Sequence, residues 1–341
     1  MSPHPIDVLG PGWSAQTLEL APDSEGPVTA TLVRRESREG EQKTPSRRAV
    51  LYVHGYIDYF FQTHLGDAWA DHGYDFYALD LRKYGRSLRA HQTPNYITDL
   101  AAYDEELDEA VRIIRADGHD VVVVMAHSTG GLIVPLWANR RRGPHQIDGI
   151  ILNSPWFDLN GNRFEQTILT RIVNVIGRFR PKQIVSKLPS HYARSLHQSA
   201  NGTWDFNLAW KPFNGFPVRA GWLRAIRKAH AELNAGISID VPILVCASDA
   251  SGNHRRASPE LTHTDCVLNV QHMVDGAPRL GKDVTLVHIP GGIHDLALSA
   301  LPVRTQFFDE VFAWAKTHLP DKPASTGNLD TGSLDTGSLD T

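Results

Sequence analysis

Along the chain the spacing of hydrophobic residues keeps changing period, and each change marks an element. Val28 to Val33 alternates as a strand, and Ala49-Val50-Leu51-Tyr52-Val53 is continuously apolar, a buried strand ending at His54-Gly55. Phe60 to His72 reads as a helix, and Tyr74 to Asp80 as another strand. Thr98 to Ala116 sets Leu100, Tyr103, Leu107, Val111 and Ile114 at helical spacing, with acids early and Arg112 and Arg115 late, as the helix dipole favours. Val121 to Val124 run through Met125 and Ala126 to His127 with period neither 2 nor 3.6, the mark of a strand buried on both faces. Leu132 to Asn139 has helical length and stops at Arg140-Arg141-Arg142-Gly143-Pro144. Ile147 to Leu152, Val241 to Ala247 and Val284 to Ile289 add strands, while Val267 to Leu280 and Val303 to His318 add helices. Alternating strands and helices predict an α/β protein with a mostly parallel, doubly wound sheet, whose functional groups gather at the carboxyl ends of the strands.

The alternation breaks between Ser154 and Asp240. Phe164 to Ile176 is helical, and an aromatic set follows: Trp204, Phe206, Trp210, Phe213, Phe216 and Trp222. This predicts a mainly helical cap over 155–240, inserted into a discontinuous core of 1–154 and 241–319. Its aromatics would either roof an apolar substrate cavity or pack the cap onto the core, and packing is the commoner role for any one of them. The apolar face of the first cap helix is expected to be buried rather than membrane-facing. After Leu319-Pro320, a Thr-Gly-x-Leu-Asp repeat without aromatics predicts a disordered tail over 320–341.

Composition narrows the classes. A chain of 341 residues with 41% hydrophobic content can bury a sizeable core, and a net charge of -4 with scattered cations leaves no footprint for nucleic acid. Two cysteines, Cys246 and Cys266, cannot build a disulfide framework. The start Met1-Ser2-Pro3-His4-Pro5 lacks the pattern of a secretion signal, and no stretch reaches membrane-spanning length. These features predict a cytoplasmic protein.

The chemistry centres on Ala126-His127-Ser128-Thr129-Gly130-Gly131, between the buried strand and the following helix. A serine on a sharp strand-to-helix turn is lifted out of the sheet with a helix N-terminus behind it, which makes Ser128 the candidate nucleophile. Ala126 stands where G-x-S-x-G has its first glycine, and it lacks the free φ of glycine, so a slightly different turn is expected. His294, in Gly291-Gly292-Ile293-His294-Asp295 after the last predicted strand, is the candidate base. Two acids compete. Asp249 lies nearest its strand, whereas Asp265 is separated from the histidine loop by just one helix and one strand and stands at the predicted helix start. Connection length and helix placement favour Asp265 without removing Asp249. For the oxyanion hole, the amides of Thr129 and Tyr56 are expected. Asp80-Leu81-Arg82-Lys83-Tyr84-Gly85-Arg86-Ser87 is expected to be structural.

These segments, with His54-Gly55-Tyr56 and Asp265-Cys266-Val267-Leu268-Asn269-Val270, resemble the α/β-hydrolase superfamily, and within it the branch of monoacylglycerol lipases, lysophospholipases and serine aminopeptidases. The resemblance implies that Asp265 is the acid. The chain departs from the family pattern at Ala126, at Lys83-Tyr84 where Gly-His or Gly-Phe is usual, and in the extra residues before Asp265. The expectation is a carboxylic ester hydrolase acting on small, apolar, lipid-like substrates without metal or cofactor. A peptidase or amidase with the same triad is the nearest rival, and a non-catalytic ligand binder a more distant one.

Overall fold

The computed structural model describes residues 5–36, 46–141, 146–160, 163–253 and 255–319. The 320–341 repeat and the Arg142-Gly143-Pro144 helix stop lie outside them. Trp13–Asp23 (β1) and Gly26–Arg35 (β2) pair as an antiparallel hairpin. Arg48–Val53 (β3), Thr63–Asp71 (α1), Asp75–Asp80 (β4), Asp104–Ala116 (α2), Val121–His127 (β5), Gly130–Arg140 (α3) and Gly149–Asn153 (β6) follow. Between β6 and the next strand of the main sheet lie Arg163–Phe179 (α4), Ile184–Ser186 (β7), His191–Leu196 (α5), Val218–Arg219 (β8) and Ala220–Asn234 (α6). Ile243–Ser248 (β9), Val270–Gly276 (α7), Val284–Ile289 (β10) and Val303–His318 (α8) complete the order.

The main sheet has eight strands in the order β1-β2-β4-β3-β5-β6-β9-β10, parallel from β4 onward. The valine run explains the two layers on it. In β5 the pleat sends Val122, Val124 and Ala126 into the core on one face, while Val121, Val123 and Met125 enter the core on the other. Each such buried valine contributes about 1.5–3 kcal/mol of burial, which is why this strand shows no polar alternation.

Several boundaries differ from the sequence expectation. Residues 60–62 precede α1 as loop, and the Thr98 helix begins as a 3-10 turn at Leu100–Tyr103 before α2. β1 escaped the pattern because it is an edge strand, where Gln16, Thr17 and Glu19 dilute the apolar alternation. The expected helix over 267–280 is shorter: Asn269 caps α7 by accepting the Gln271 amide, and a 3-10 turn at Ala277–Arg279 follows.

The apolar face of α4 is the clearest correction. Val173 and Gly177 are buried, and a Cβ on Gly177 would stand 2.7 Å from the Ala220 carbonyl and 2.9 Å from Arg224 Cβ, so α4 and α6 approach closely there. Ile172, Val175 and Phe179, however, are exposed, Phe179 by 74%. The helix carries apolar residues around more of its surface than the single strip that meets α6. Among the described residues, no helix is long and apolar enough to cross a membrane.

Candidate active site

Ser128 stands at the carboxyl end of β5 with φ +52°, a left-handed conformation costly for a residue bearing a Cβ. Its surroundings hold it there. The Ser128 amide donates to the Asn153 carbonyl at 3.1 Å, and its own carbonyl accepts from Gly131 at 2.9 Å and Trp156 at 3.0 Å. The small residues that follow are dictated by close backbone approach. A Cβ on Gly130 would lie 2.6 Å from the His54 carbonyl oxygen and 2.7 Å from that of Val53. Ala126 needs no such freedom, because it sits inside β5, paired with Val53 and Leu152, and the turn begins only at Ser128. The different turn expected from Ala126 is therefore not required.

His294 reaches Ser128 from the loop after β10. Its Nε2 is 3.0 Å from Ser128 Oγ, and its Nδ1 is 2.9 Å from Asp265 Oδ2. All three residues are buried. The Asp265 carboxylate accepts a hydrogen bond from Nδ1–H, which leaves Nε2 as acceptor toward the serine hydroxyl. The other carboxylate oxygen accepts the amides of Val267 at 2.9 Å and Leu268 at 2.8 Å. These amides belong to a turn, not to the first turn of α7, which corrects the expected helix placement of the acid. The polar stretch before Asp265 returns upon itself. Ser251 and Asp265 form a β-bridge, with the Asp265 amide donating to Ala250 and the Gly252 amide to Asp265. The rival acid, Asp249, is exposed and accepts the Gly291 amide at 3.0 Å instead of meeting the imidazole.

Tyr56 and Thr129 both line the cavity that contains Ser128, and Thr129 precedes the first turn of α3. The loop bearing Tyr56 lies against the serine, since a Cβ on Gly55 would be 3.0 Å from Ser128 Cβ. His54 shapes that loop: Nδ1 donates to the Gly55 carbonyl at 2.7 Å while Nε2 accepts the Leu81 amide at 3.0 Å. Burial pulls the His54 imidazole below its ordinary value, consistent with this neutral tautomer. The Asp80–Ser87 segment has the structural role expected of it. Asp80 accepts the amides of Phe60 and Arg86 and pairs with the Arg86 guanidinium at 2.8 Å, and Arg82 pairs with Glu106 at 2.6 Å.

The cavity measures about 450 Å³. Of the six aromatics expected either to roof the cavity or to pack the cap onto the core, Phe213 and Trp222 line it. Trp204, Phe206 and Trp210 instead pack with Tyr59, Phe61 and Leu196 in a separate cluster, and Phe216 is not part of the lining. The wall is mainly apolar, with aliphatic side chains such as Leu159, Leu169, Val185, Leu188, Val218 and Leu268 beside the rings of Tyr56, Trp156 and Tyr192.

Sequence reasoning missed a buried polar cluster beside the nucleophile. Lys211 Nζ lies 2.6 Å from Asp58 Oδ1, and Asp295 accepts from Asn153 Nδ2 at 2.8 Å and Gln62 Nε2 at 3.1 Å. Burial lowers the affinity of His127 for a proton, and its Nδ1 donates to the Asn153 carbonyl at 3.1 Å. Asp58, His127 and Asp295 bring ligand-type atoms within 4.8 Å of one another, but the Lys211 ammonium already supplies a cation to that group. The available signal was a lysine inside an aromatic stretch, Trp210-Lys211-Pro212-Phe213.

With this geometry in place, the family model described as "Serine aminopeptidase, S33" matches residues 44–298, which include Ser128, Asp265 and His294. The chain belongs to the serine aminopeptidase S33 family. Its α/β-hydrolase fold is that of several solved structures. A soluble variant of monoglyceride lipase from Saccharomyces cerevisiae aligns at TM-score 0.64 and 17% identity, covering 94% of this chain and 100% of that one. A monoacylglycerol lipase from Paleococcus ferrophilus aligns at TM-score 0.58 and 18% identity, covering 81% of this chain and 96% of that one. In sequence, "Phospholipase YtpA" of Bacillus subtilis (strain 168) is 32% identical over 112 residues, which are 32% of this chain and 41% of that protein. The match thus spans less than half of the curated relative's length.

Proposed function

We propose that this S33-family protein hydrolyses carboxylic esters with apolar acyl groups through a covalent acyl-enzyme. The observation that carries the reading is the single imidazole of His294, hydrogen-bonded to Ser128 Oγ on one side and to Asp265 on the other, opening onto a mainly apolar cavity. In this reading His294 accepts the hydroxyl proton as Ser128 attacks the acyl carbonyl, then donates it to the leaving alcohol. Asp265 holds the ring and balances its transient charge. The Tyr56 and Thr129 amides stabilise the oxyanion; loss of a single oxyanion donor costs about 3–4 kcal/mol in a serine protease of unrelated fold. Water, activated by the same imidazole, then releases the acid. Residues 155–240 act as the cap that supplies much of the cavity wall, and its mainly apolar lining favours ester substrates with hydrocarbon acyl chains. Cys246 and Cys266 are both buried and neither forms a disulfide among the described residues, which suits a cytoplasmic setting.

The family description also supports a second reading, cleavage of aminoacyl amides by the same three residues. Turnover of p-nitrophenyl esters of increasing acyl length, compared with aminoacyl anilides, decides between them. The ester reading expects acyl esters to react well above anilides, and turnover of anilides alone overturns it. Fluorophosphonate labelling tests catalysis itself: an adduct on Ser128 is expected, and its absence in folded protein reduces the chain to a ligand binder.

A further inference from the structure

The loop that carries the Tyr56 amide is held from above at three consecutive residues. The Tyr56 ring stacks on Trp222 of α6 at 3.9 Å between centroids. Ile57 has φ +53°, a conformation that a β-branched side chain resists, and a Cβ on Gly215 would stand 2.8 Å from Ile57 Cδ1. Asp58 binds Lys211 at 2.6 Å, and both side chains are almost fully buried. Trp222, Gly215 and Lys211 all come from the segment between β6 and β9.

A backbone outlier of this kind costs on the order of 1–3 kcal/mol and persists only where neighbouring contacts over-determine it. Stacking and packing hold Tyr56 and Ile57, but the contact with fixed direction is the ion pair. Asp58 Oδ1 also accepts the Tyr59 amide at 3.0 Å, so the carboxylate ties the backbone on the far side of Ile57 to the ammonium. The ammonium in turn lies 4.9 Å from the centre of the Phe61 ring and 5.3 Å from that of Phe206, which leaves it little freedom to follow a moving carboxylate.

We infer that Lys211 is a positioning residue: through Asp58 it locks the Tyr56–Asp58 turn and so aims the Tyr56 amide at the developing oxyanion. The oxyanion hole is then complete only while the inserted segment is seated on the core. This rests on the triad reading above, and it holds equally for ester or amide cleavage.

The test compares the full-length wild type with Lys211→Met, Lys211→Arg and the neutral pair Lys211→Gln/Asp58→Asn, each on whichever substrate the wild type turns over best. For every variant, kcat, KM and the inhibition constant of a trifluoromethyl ketone carrying the same acyl group are measured. Near-UV circular dichroism reports folding. Lys211→Met is expected to lose about 100-fold in kcat with KM within about threefold, and the ketone, whose adduct needs the oxyanion hole, to weaken in parallel. Lys211→Arg should recover much of the loss. Where Lys211→Met does not fold, the neutral pair reads the same loss without leaving a buried charge unpaired. A folded variant with unchanged kcat overturns the inference, as does a raised KM at constant kcat, which makes Lys211 a substrate contact. A fall in kcat without weaker ketone binding overturns it too, and loss of the native spectrum in both Lys211→Met and the neutral pair makes the ion pair purely structural. A wild type that turns over no acyl substrate instead fails the underlying triad reading.

Discussion

Asp249 Oδ1 accepts the Gly291 amide at 3.0 Å, so the carboxylate nearest the end of β9 holds the histidine loop by its backbone. The imidazole is left to Asp265. Asparagine at 249 can still accept that amide through its side-chain oxygen, whereas at 265 the oxygen is held by the Val267 and Leu268 amides, so the side-chain NH2 donates to Nδ1 and forces the wrong tautomer. Asp265→Asn is expected to lower kcat by about 10⁴, the scale known from a serine protease triad, and Asp249→Asn to cost less than about tenfold. Steady-state kinetics on both variants checks the assignment, and the reverse order of losses sinks it.

Gly130→Ala is predicted to destabilise the fold by about 1–3 kcal/mol, since the added methyl group meets two backbone carbonyl oxygens that cannot swing aside. Urea denaturation reads the loss as a lower midpoint. An unchanged midpoint contradicts the close approach of β3 to the start of α3.

Ala126→Gly, which restores the usual serine-hydrolase motif, is expected to gain no activity and to lose about 0.5–1 kcal/mol of stability. The residue lies in extended, paired backbone where glycine adds only unfolded-state freedom. A rise in kcat would show that the turn begins earlier than Ser128.

Acid stability has an identifiable contributor in Glu25. Burial pushes its carboxyl up, but hydrogen bonds from Lys182, Lys83 and Thr93 outweigh this and hold it down to about 2. A carboxyl depressed in the folded state contributes fully above its ordinary value near 4.5, and the contribution is lost as pH falls through about 2. Wild type should therefore lose stability more steeply than Glu25→Gln between pH 4.5 and 2, measured by urea melts across that range. Parallel curves refute the assignment.

The alternation that revealed the parallel strands was legible because their residues are buried on both faces, which erases polar positions and leaves an unmistakable run in β5. The candidate nucleophile and base were legible for a related reason: strand ends in a parallel sheet collect functional groups, and Ser128 and His294 follow such ends. Other features depend on contacts that local pattern does not encode. β1 needs its neighbour to bury one face, and α6 carries a helical face in Trp222, Leu223, Ile226, His230 and Leu233 that is hard to separate from the aromatic stretch before it. The pairing of Lys211 with Asp58 joins residues 153 positions apart, and neither side chain alone signals it. The exposed apolar residues of α4 are not legible in its sequence, because an amphipathic pattern identifies a buried strip without stating how wide it is.

The β-bridge between Ser251 and Asp265 closes the excursion between them at its neck, and Arg255 and Arg256 lie exposed beyond it. Loop closure entropy rises only slowly with length, so residues added past the neck perturb little that the neck already fixes. The chain therefore carries a natural splice point: an affinity tag or fluorescent reporter inserted between Arg255 and Arg256 would travel with the acid's own loop yet leave the carboxylate where it stands.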